Sequence, residues 1–309
     1  MADLDPGILA IARAQYGMLT TGQLALTGLG PMDLRSLVTR HVLDHPARGL
    51  YAVAELRSAD AYAWHRQLVA GLFLLYPDAV LTGTSALLSH GIDVWGANLT
   101  VPEIVRPCHR GGGVKGVRVR RESSRRDAIE GPWGKTVPIA DAVVQQAIDA
   151  GIVSGVVSAD SALRQRKVVE EDLIESVALV RSWPQSSRAS AMLPITDGRR
   201  ENVAESRTAV TLIWAGYEVV PQVTIWDEDG TFVARVDFLI KGTKVVIEFD
   251  GKVKYADDDG TALFAEKKRE DRLRRLGYIV VRVIWADLER PAILLAKVRQ
   301  AMAIAALSA

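Results

Sequence analysis

A multidomain α/β fold is what the amino-acid sequence predicts, on three observations. Apolar residues recur at helical spacing through residues 6–42 and give way to a short hairpin. Residues 56–185 mix helical and alternating stretches. Beyond residue 195 the pattern runs helix, three strands, helix, strand, helix. The 309 residues suffice for two or three domains. The expected divisions are 1–55, 56–185 and 195–309, with the Ser-, Pro- and Ala-rich stretch "SWPQSSRASAMLP" (182–194) as a linker. Hydrophobic residues at 49% and charged residues at 24% are ordinary for a globular protein. A net charge of +1 excludes a globally basic nucleic-acid binder, so charge has to be read locally. The single cysteine, Cys108, rules out an intrachain disulfide and fits a reducing compartment. The opening "MADLDPG" lacks a basic leader, and no apolar run approaches the ~20 residues that cross a bilayer. A cytoplasmic protein without membrane contact is expected.

In the first region, "GILAIARAQYG" is a helix stopped at Gly17, and "LTTGQLALTG" a second, capped by Thr20 or Thr21 and stopped at Gly28. "GPMDLRSLVTRHVL" is a third, with Pro31 in its first turn and Leu34, Leu37 and Val38 on one side. "LDHPARGLYAV" comes next as a hairpin around Ala47, Arg48 and Gly49. Three short helices and a hairpin make a winged helix-turn-helix, in which the third helix enters the major groove. Its outward positions include Asp33, Arg35, Ser36, Thr39 and Arg40, and Arg48 at the hairpin tip can reach a phosphate or the minor groove. Residues 1–55 carry four arginines and no lysine against five acids. A helical protein-interaction module is the alternative.

The middle region opens with the apolar helix "WHRQLVAGLFLLYP". "AVLTGTSALLSHGI" then predicts a strand, a turn and a helix whose start carries Thr82, Thr84 and Ser85, suited to capping and, less commonly, to a phosphate. His90 ends that helix. Residues 104–126 hold eight basic residues against one acid, Glu122. In "GVRVRRES", Val117 and Val119 alternate with Arg118 and Arg120, giving a strand with a basic face that can track a nucleic-acid backbone or protect a sheet edge. "GGG" (111–113) reads as a hairpin tip.

The C-terminal region contains the acids. "ENVAESRTAVTLIWAGY" is a helix, "YEVVPQVTIWD" a strand interrupted by Pro221, and "FVARVDFLI" and "KVVIEFD" strands joined through Lys241–Lys244. A hairpin centred between Gly242 and Thr243 sets Val236 against Phe249, Phe238 against Ile247 and Ile240 against Val245 on one apolar face. On the other face Asp237 meets Glu248, and Arg235 meets Asp250. Directly opposed side chains have Cβ atoms roughly 4.5–5.5 Å apart, where two ionised carboxylates repel. A shared proton or a divalent cation, Mg²⁺ or Mn²⁺, relieves this. Glu205 aligns with Ala209 and Leu212 on the sheet-facing side of its helix and can join as a third acid. Lys252 and Lys254 follow Asp250 closely enough to bring a positive charge to a reaction in which a metal-activated water attacks phosphorus. A surface ion pair of Asp237 is the plain alternative. In "LFAEKKREDRLRRLG", Lys267, Lys268, Arg269, Arg272, Arg274 and Arg275 offer a phosphate-contacting face, or pair with Glu266, Glu270 and Asp271. Arg282 within "VVRVI" is expected to pair with Asp250 or Asp271. Asp287 is expected to cap the last helix.

With Glu205, Asp237 and Glu248 on that element order, the C-terminal region resembles the PD-(D/E)XK restriction-endonuclease-like superfamily. "RVDFLI…VVIEFDG" and "EKKREDRLRRLGYIVVRV" resemble its very-short-patch-repair branch, over about residues 198–290. The resemblance implies an αβββαβ core, Asp237 and Glu248 as ligands of Mg²⁺ or Mn²⁺, and Glu205 as an auxiliary acid. Asp250 stands where the pattern has its lysine, and Lys254 where the branch often has histidine, so the catalytic cation would come from Lys252, Lys254 or Lys267. The first two regions resemble AbiEi-type antitoxins in "GMLTTGQLALTGLGPMDLRSLVTRHVL…RGLYAV" and "AVLTGTSALLSHGI". That resemblance implies DNA and a cognate toxin protein as partners. Two functions are expected on these grounds: a metal-dependent DNA endonuclease, or an autoregulating repressor whose nuclease-like domain does not turn over.

Overall fold

The computed structural model describes residues 4–106, 112–121, 126–251 and 261–307. The chain is mixed α/β, with thirteen α-helices and three sheets among the described residues. It divides into two compact units, Met1–Ser158 with Lys167–Ser190, and Ala159–Arg166 with Ala191–Ala309.

The first unit begins with α1 (Pro6–Ala14), β1 (Met18–Thr20), α2 (Thr21–Leu26), α3 (Pro31–Thr39), β2 (Leu43–Ala47) and β3 (Leu50–Val53). Asp5 caps α1 by accepting the Gly7 N–H at 2.8 Å. Thr20 is the cap of α2, in a reciprocal pair with Gln23 that satisfies two orphan helix-start donors. The three strands form a sheet in the order β1-β3-β2. Ile8, Leu24, Leu34, Leu37, Leu43 and Val53 close a core between the helices and this sheet.

Next come α4 (Ala61–Leu75), β4 (Val80–Leu81), α5 (Gly83–Ser89), β5 (Glu103–Arg106), β6 (Gly112–Val114), β7 (Val117–Arg121), β8 (Ile129–Gly131) and β9 (Gly134–Thr136). The strands make a sheet in the order β6-β7-β5-β4-β9-β8. Four helices follow: α6 (Ile139–Ala150), α7 (Ile152–Arg164), α8 (Glu170–Leu179) and α9 (Ser186–Met192), of which α7 from Ala159 and α9 from Ala191 belong to the second unit. Residues 1–55 belong to the same unit as the middle region because α4 lies directly on the first sheet. A Cβ on Gly71 would come within 2.8 Å of the Leu50 side chain.

Two local expectations are corrected. The stretch expected as a linker contains α9, in which Ala189 and Met192 are fully buried. Ser and Pro suit loops by composition, but Ala is the best helix former and Ser does not resist a helix once tertiary packing supplies an apolar site. Gly112 and Gly113 lie in β6, paired with Val119 and Arg118. The hairpin tip is Lys115–Gly116, where Gly116 takes φ +82°.

The second unit holds α10 (Val203–Trp214), β10 (Val219–Trp226), β11 (Phe232–Ile240), β12 (Val245–Phe249), α11 (Thr261–Arg275), β13 (Ile279–Val283), α12 (Trp285–Leu288) and α13 (Pro291–Leu307). Its sheet runs β10-β11-β12-β13, antiparallel except for the parallel pair β12–β13. The expected β11–β12 register holds at Phe238↔Ile247 and Leu239↔Val246. The faces differ from expectation. Phe238, Ile240, Val245 and Ile247 pack with α10 and α13 through Ala209, Leu212, Leu294 and Val298. Val236 instead joins Val246, Leu239 and Leu273 in a second cluster with α11. Helices therefore cover both faces, α11 through Leu273 and Leu276 on its otherwise charged surface, as a strand leading into a helix crossover requires. Asp287 caps α12, accepting the Ile284 N–H at 2.9 Å, rather than α13. Pro291 starts a separate helix because the residue before a proline disfavours the helical region.

Candidate functional site

Two places bring the expected functional residues together, one in each unit. In the first, α3 turns Leu34 and Leu37 into the core and leaves Asp33, Arg35, Ser36, Thr39 and Arg40 on its outer side. Arg48 lies at the β2–β3 turn, where Gly49 takes φ +83°. Among the described residues, Arg35, Arg40 and Arg48 make no ion pair.

The basic strand face is different. Arg118 donates to Glu103 at 2.7 Å and stands 3.6 Å from Asp149, and Arg120 donates to Asp149. Arg106 is bonded to Asp78 at 3.1 Å and Arg126 to Glu175 at 2.9 Å. Of the eight basic residues counted in 104–126, Arg106, Arg118, Arg120 and Arg126 are paired with acids at least fifteen residues away in sequence. Glu103 also resolves the start of α5. Its Oε2 accepts the Thr84 N–H at 3.2 Å, so the chain supplies its own carboxylate there. Thr84 donates to Gln146 and Ser85 bonds His65. Burial pushes the Glu103 carboxyl above its usual range, and burial holds the His65 imidazole below its own.

In the second unit, Glu205 comes from the first turn of α10, Asp237 from β11 and Glu248 from β12. Glu205 is 2% exposed. Its Oε1 accepts from Asn202 Nδ2 at 2.6 Å, and its Oε2 accepts from the Glu201 N–H at 2.8 Å and from Gln222 Nε2 at 2.9 Å. Gln222 holds this position with φ +55°, a rare and costly conformation for a residue with a side chain. Burial pushes the Glu205 carboxyl up to about 7, and the Asp237 charge adds to the shift. Asp237 accepts the Phe249 N–H at 2.7 Å. Its carboxyl is raised by burial and by the charges of Glu248 and Glu201, against the lowering effect of the Phe249 bond and Arg269. Glu248 is 8% exposed and takes a two-pronged bond from Arg269, Nη1 to Oε1 at 2.7 Å and Nη2 to Oε2 at 2.9 Å.

The outer groups pair elsewhere. Asp250 donates its N–H to Val283 and stands 3.9 Å from Arg282, which also bonds Glu270 at 3.0 Å. Arg235 pairs with Glu201 at 2.9 Å rather than with Asp250, because the β11–β12 ladder ends short of that position and leaves Arg235 beside β10, opposite Thr224. Lys267 and Lys268 are on α11, while Arg272 and Arg274 bond Asp227 and Glu270. Lys252 and Lys254 lie outside the described residues.

Hydrogen bonds occupy most of the carboxylate oxygens of the three acids. Both oxygens of Glu248 and both of Glu205 already accept hydrogen bonds, and among the described residues no group of three His, Cys, Asp or Glu side chains could hold a metal. Arg269 brings a positive charge to these acids. Sequence reasoning missed that role, though a signal exists. Arg269 lies four and seven residues before Leu273 and Leu276, which pack on the sheet, so it occupies a core-facing helical position where a charge needs a buried partner. Among the described residues no helix is long and apolar enough to cross a membrane. No family model matches the chain, and no curated protein matches it in sequence.

Proposed function

We propose that this is a DNA-binding regulator, built as a winged helix-turn-helix on a mixed α/β region, with a nuclease-like C-terminal unit that does not turn over as arranged. The observation that carries this reading is α3: Leu34 and Leu37 inward, with Arg35, Ser36, Thr39 and Arg40 on the outer side and Arg48 on the neighbouring hairpin. The order β1-β3-β2 around three helices supports a major-groove docking for α3. Arg35 and Arg40 would read base edges or phosphates, Ser36 and Thr39 would add hydrogen bonds, and Arg48 would contact the backbone beside them. The resemblance to AbiEi-type antitoxins makes the chain's own promoter the first DNA to test and a toxin the second partner. Footprinting on that promoter is the experiment. A protected site, weakened in Arg35→Ala and Arg40→Ala, is the expected result, and a footprint indifferent to both changes would refute the role of α3.

A metal-dependent endonuclease is the second reading. What favours it is the gathering of Glu205, Asp237 and Glu248 from a helix and two neighbouring strands, where burial, and then the charges of neighbouring acids, raise Asp237 and Glu205. The Arg269–Glu248 pair weighs against it, because the guanidinium takes both carboxylate oxygens that an ion would need. Plasmid incubated with protein and Mg²⁺ or Mn²⁺ decides the matter: nicking that Glu248→Ala abolishes would establish turnover.

A further inference from the structure

The β6–β7 hairpin reaches the β2–β3 hairpin at one point. Gly116 packs so closely on Pro46 that a Cβ there would overlap the Pro46 carbonyl oxygen and stand 3.1 Å from Ala47 Cα. The positive φ of Gly116 lets the turn make this backbone-to-backbone approach. Lys115, the other tip residue, is exposed, and its charge reaches His45 on β2. His45 and Arg48 flank the Pro46–Ala47 contact in the chain. The nearest acid on β2, Asp44, is held by Arg57 at 3.0 Å. Among the described residues neither Lys115 nor Arg48 makes an ion pair. This tip therefore keeps its charge, whereas Arg118 and Arg120 on the same hairpin are neutralised by Glu103 and Asp149.

We infer that the β6–β7 hairpin extends the DNA-contacting edge, with Lys115 binding a backbone phosphate beside the one met by Arg48. This rests on the DNA-binding reading above and gives the middle region a part in it. A compact ammonium on an exposed turn suits a phosphate and carries no base information.

The test measures full-length protein on a duplex of about three helical turns holding the footprinted site, and on a scrambled duplex, across a salt series. Each phosphate contact contributes about 0.9 to the slope of log K against log salt. Lys115→Ala should weaken binding to both duplexes alike and lower that slope by about 0.9. Lys115→Ala with Arg48→Ala should lower it by about twice as much. Lys135→Ala, an exposed lysine on β9, should leave it unchanged. An unchanged slope in Lys115→Ala while Arg48→Ala lowers it would overturn the inference and leave the DNA reading standing. Binding indifferent to Arg35, Arg40, Arg48 and Lys115 alike would overturn both.

Discussion

Replacing Arg269 with alanine tests whether a guanidinium holds the acid site together. The change removes two charge-assisted bonds of 2.7 and 2.9 Å and leaves Glu248, 8% exposed, without its counter-charge. Removing one partner of a buried pair costs about 3–5 kcal/mol. The Arg269 side chain is 27% exposed, and water shares part of that interaction, so the lower end, about 3 kcal/mol, is expected. At about 3 °C per kcal/mol, calorimetry should show the second unit melting roughly 10 °C lower. Millimolar Mn²⁺ provides the second arm. If the freed acids gather an ion at a Kd about one-hundredth of its concentration, about 2.7 kcal/mol returns. Wild-type protein, with Arg269 in place, should respond far less. A variant that melts with the wild type would refute the stabilising role of the pair. Equal Mn²⁺ shifts in both proteins would refute the idea that Arg269 excludes the ion.

Other perturbations probe separate parts of the molecule. Arg35→Ala or Arg40→Ala should cost about 1–3 kcal/mol on the specific site if the residue reads a base pair, with little loss on scrambled DNA, as fluorescence anisotropy would measure. Glu205 makes the second unit sensitive to alkali. Its folded value of about 7 lies above the ordinary 4.5, so its contribution is complete below pH 4.5 and lost as pH rises through 7. The whole span amounts to about 3 kcal/mol. Urea unfolding should find the unit weaker above the folded value than near the ordinary one, and Glu205→Gln should reduce that difference, the remainder coming from Asp160 and Asp237, whose carboxyls burial also raises. Arg200→Ala should cost about 3–5 kcal/mol in the same assay, because Asp160, bonded to Arg200 at 2.9 Å, is 1% exposed.

What was legible in the sequence is what local chemistry decides. Thr20 and Gln23 announce a helix start within a single turn, and α3 comes from the spacing of Leu34 and Leu37. The β11–β12 register came from alternation alone, since Phe238 and Ile247 leave their face if the pairing slips by one. Some charge partners were legible, as Arg274–Glu270 and Arg282–Asp250 show, but most distant ones were not. Arg118 finds Glu103 fifteen residues away, Arg120 finds Asp149 at twenty-nine, and Arg269 finds Glu248 at twenty-one. Such separations are set by tertiary folding, so a local count of basic residues overstated the positive face at 104–126. The same limit explains 182–194: composition says loop, but burial of Ala189 and Met192 is a property of the packed chain.

The pairing of arginines sets how the proposed DNA binding should respond to salt. Glu103, Asp149, Glu248 and Asp227 each take an arginine that could otherwise meet a phosphate. Four cations remain near α3 and the two hairpins without an ion partner among the described residues: Arg35, Arg40, Arg48 and Lys115. At about 0.9 per phosphate contact, Arg48 and Lys115 give a salt slope of about −2 for one chain on duplex DNA, rising to about −4 where Arg35 and Arg40 also meet phosphates rather than bases. A protein with so few phosphate contacts gains little non-specific affinity, and its selectivity has to come from base contacts by α3. A slope much steeper than about −4 would require cations from elsewhere, and Lys267 and Lys268 on α11 are the first to replace. If Lys267→Ala with Lys268→Ala then brings the slope back to about −4, the C-terminal unit also holds DNA, and its acid site lies within reach of a phosphodiester backbone.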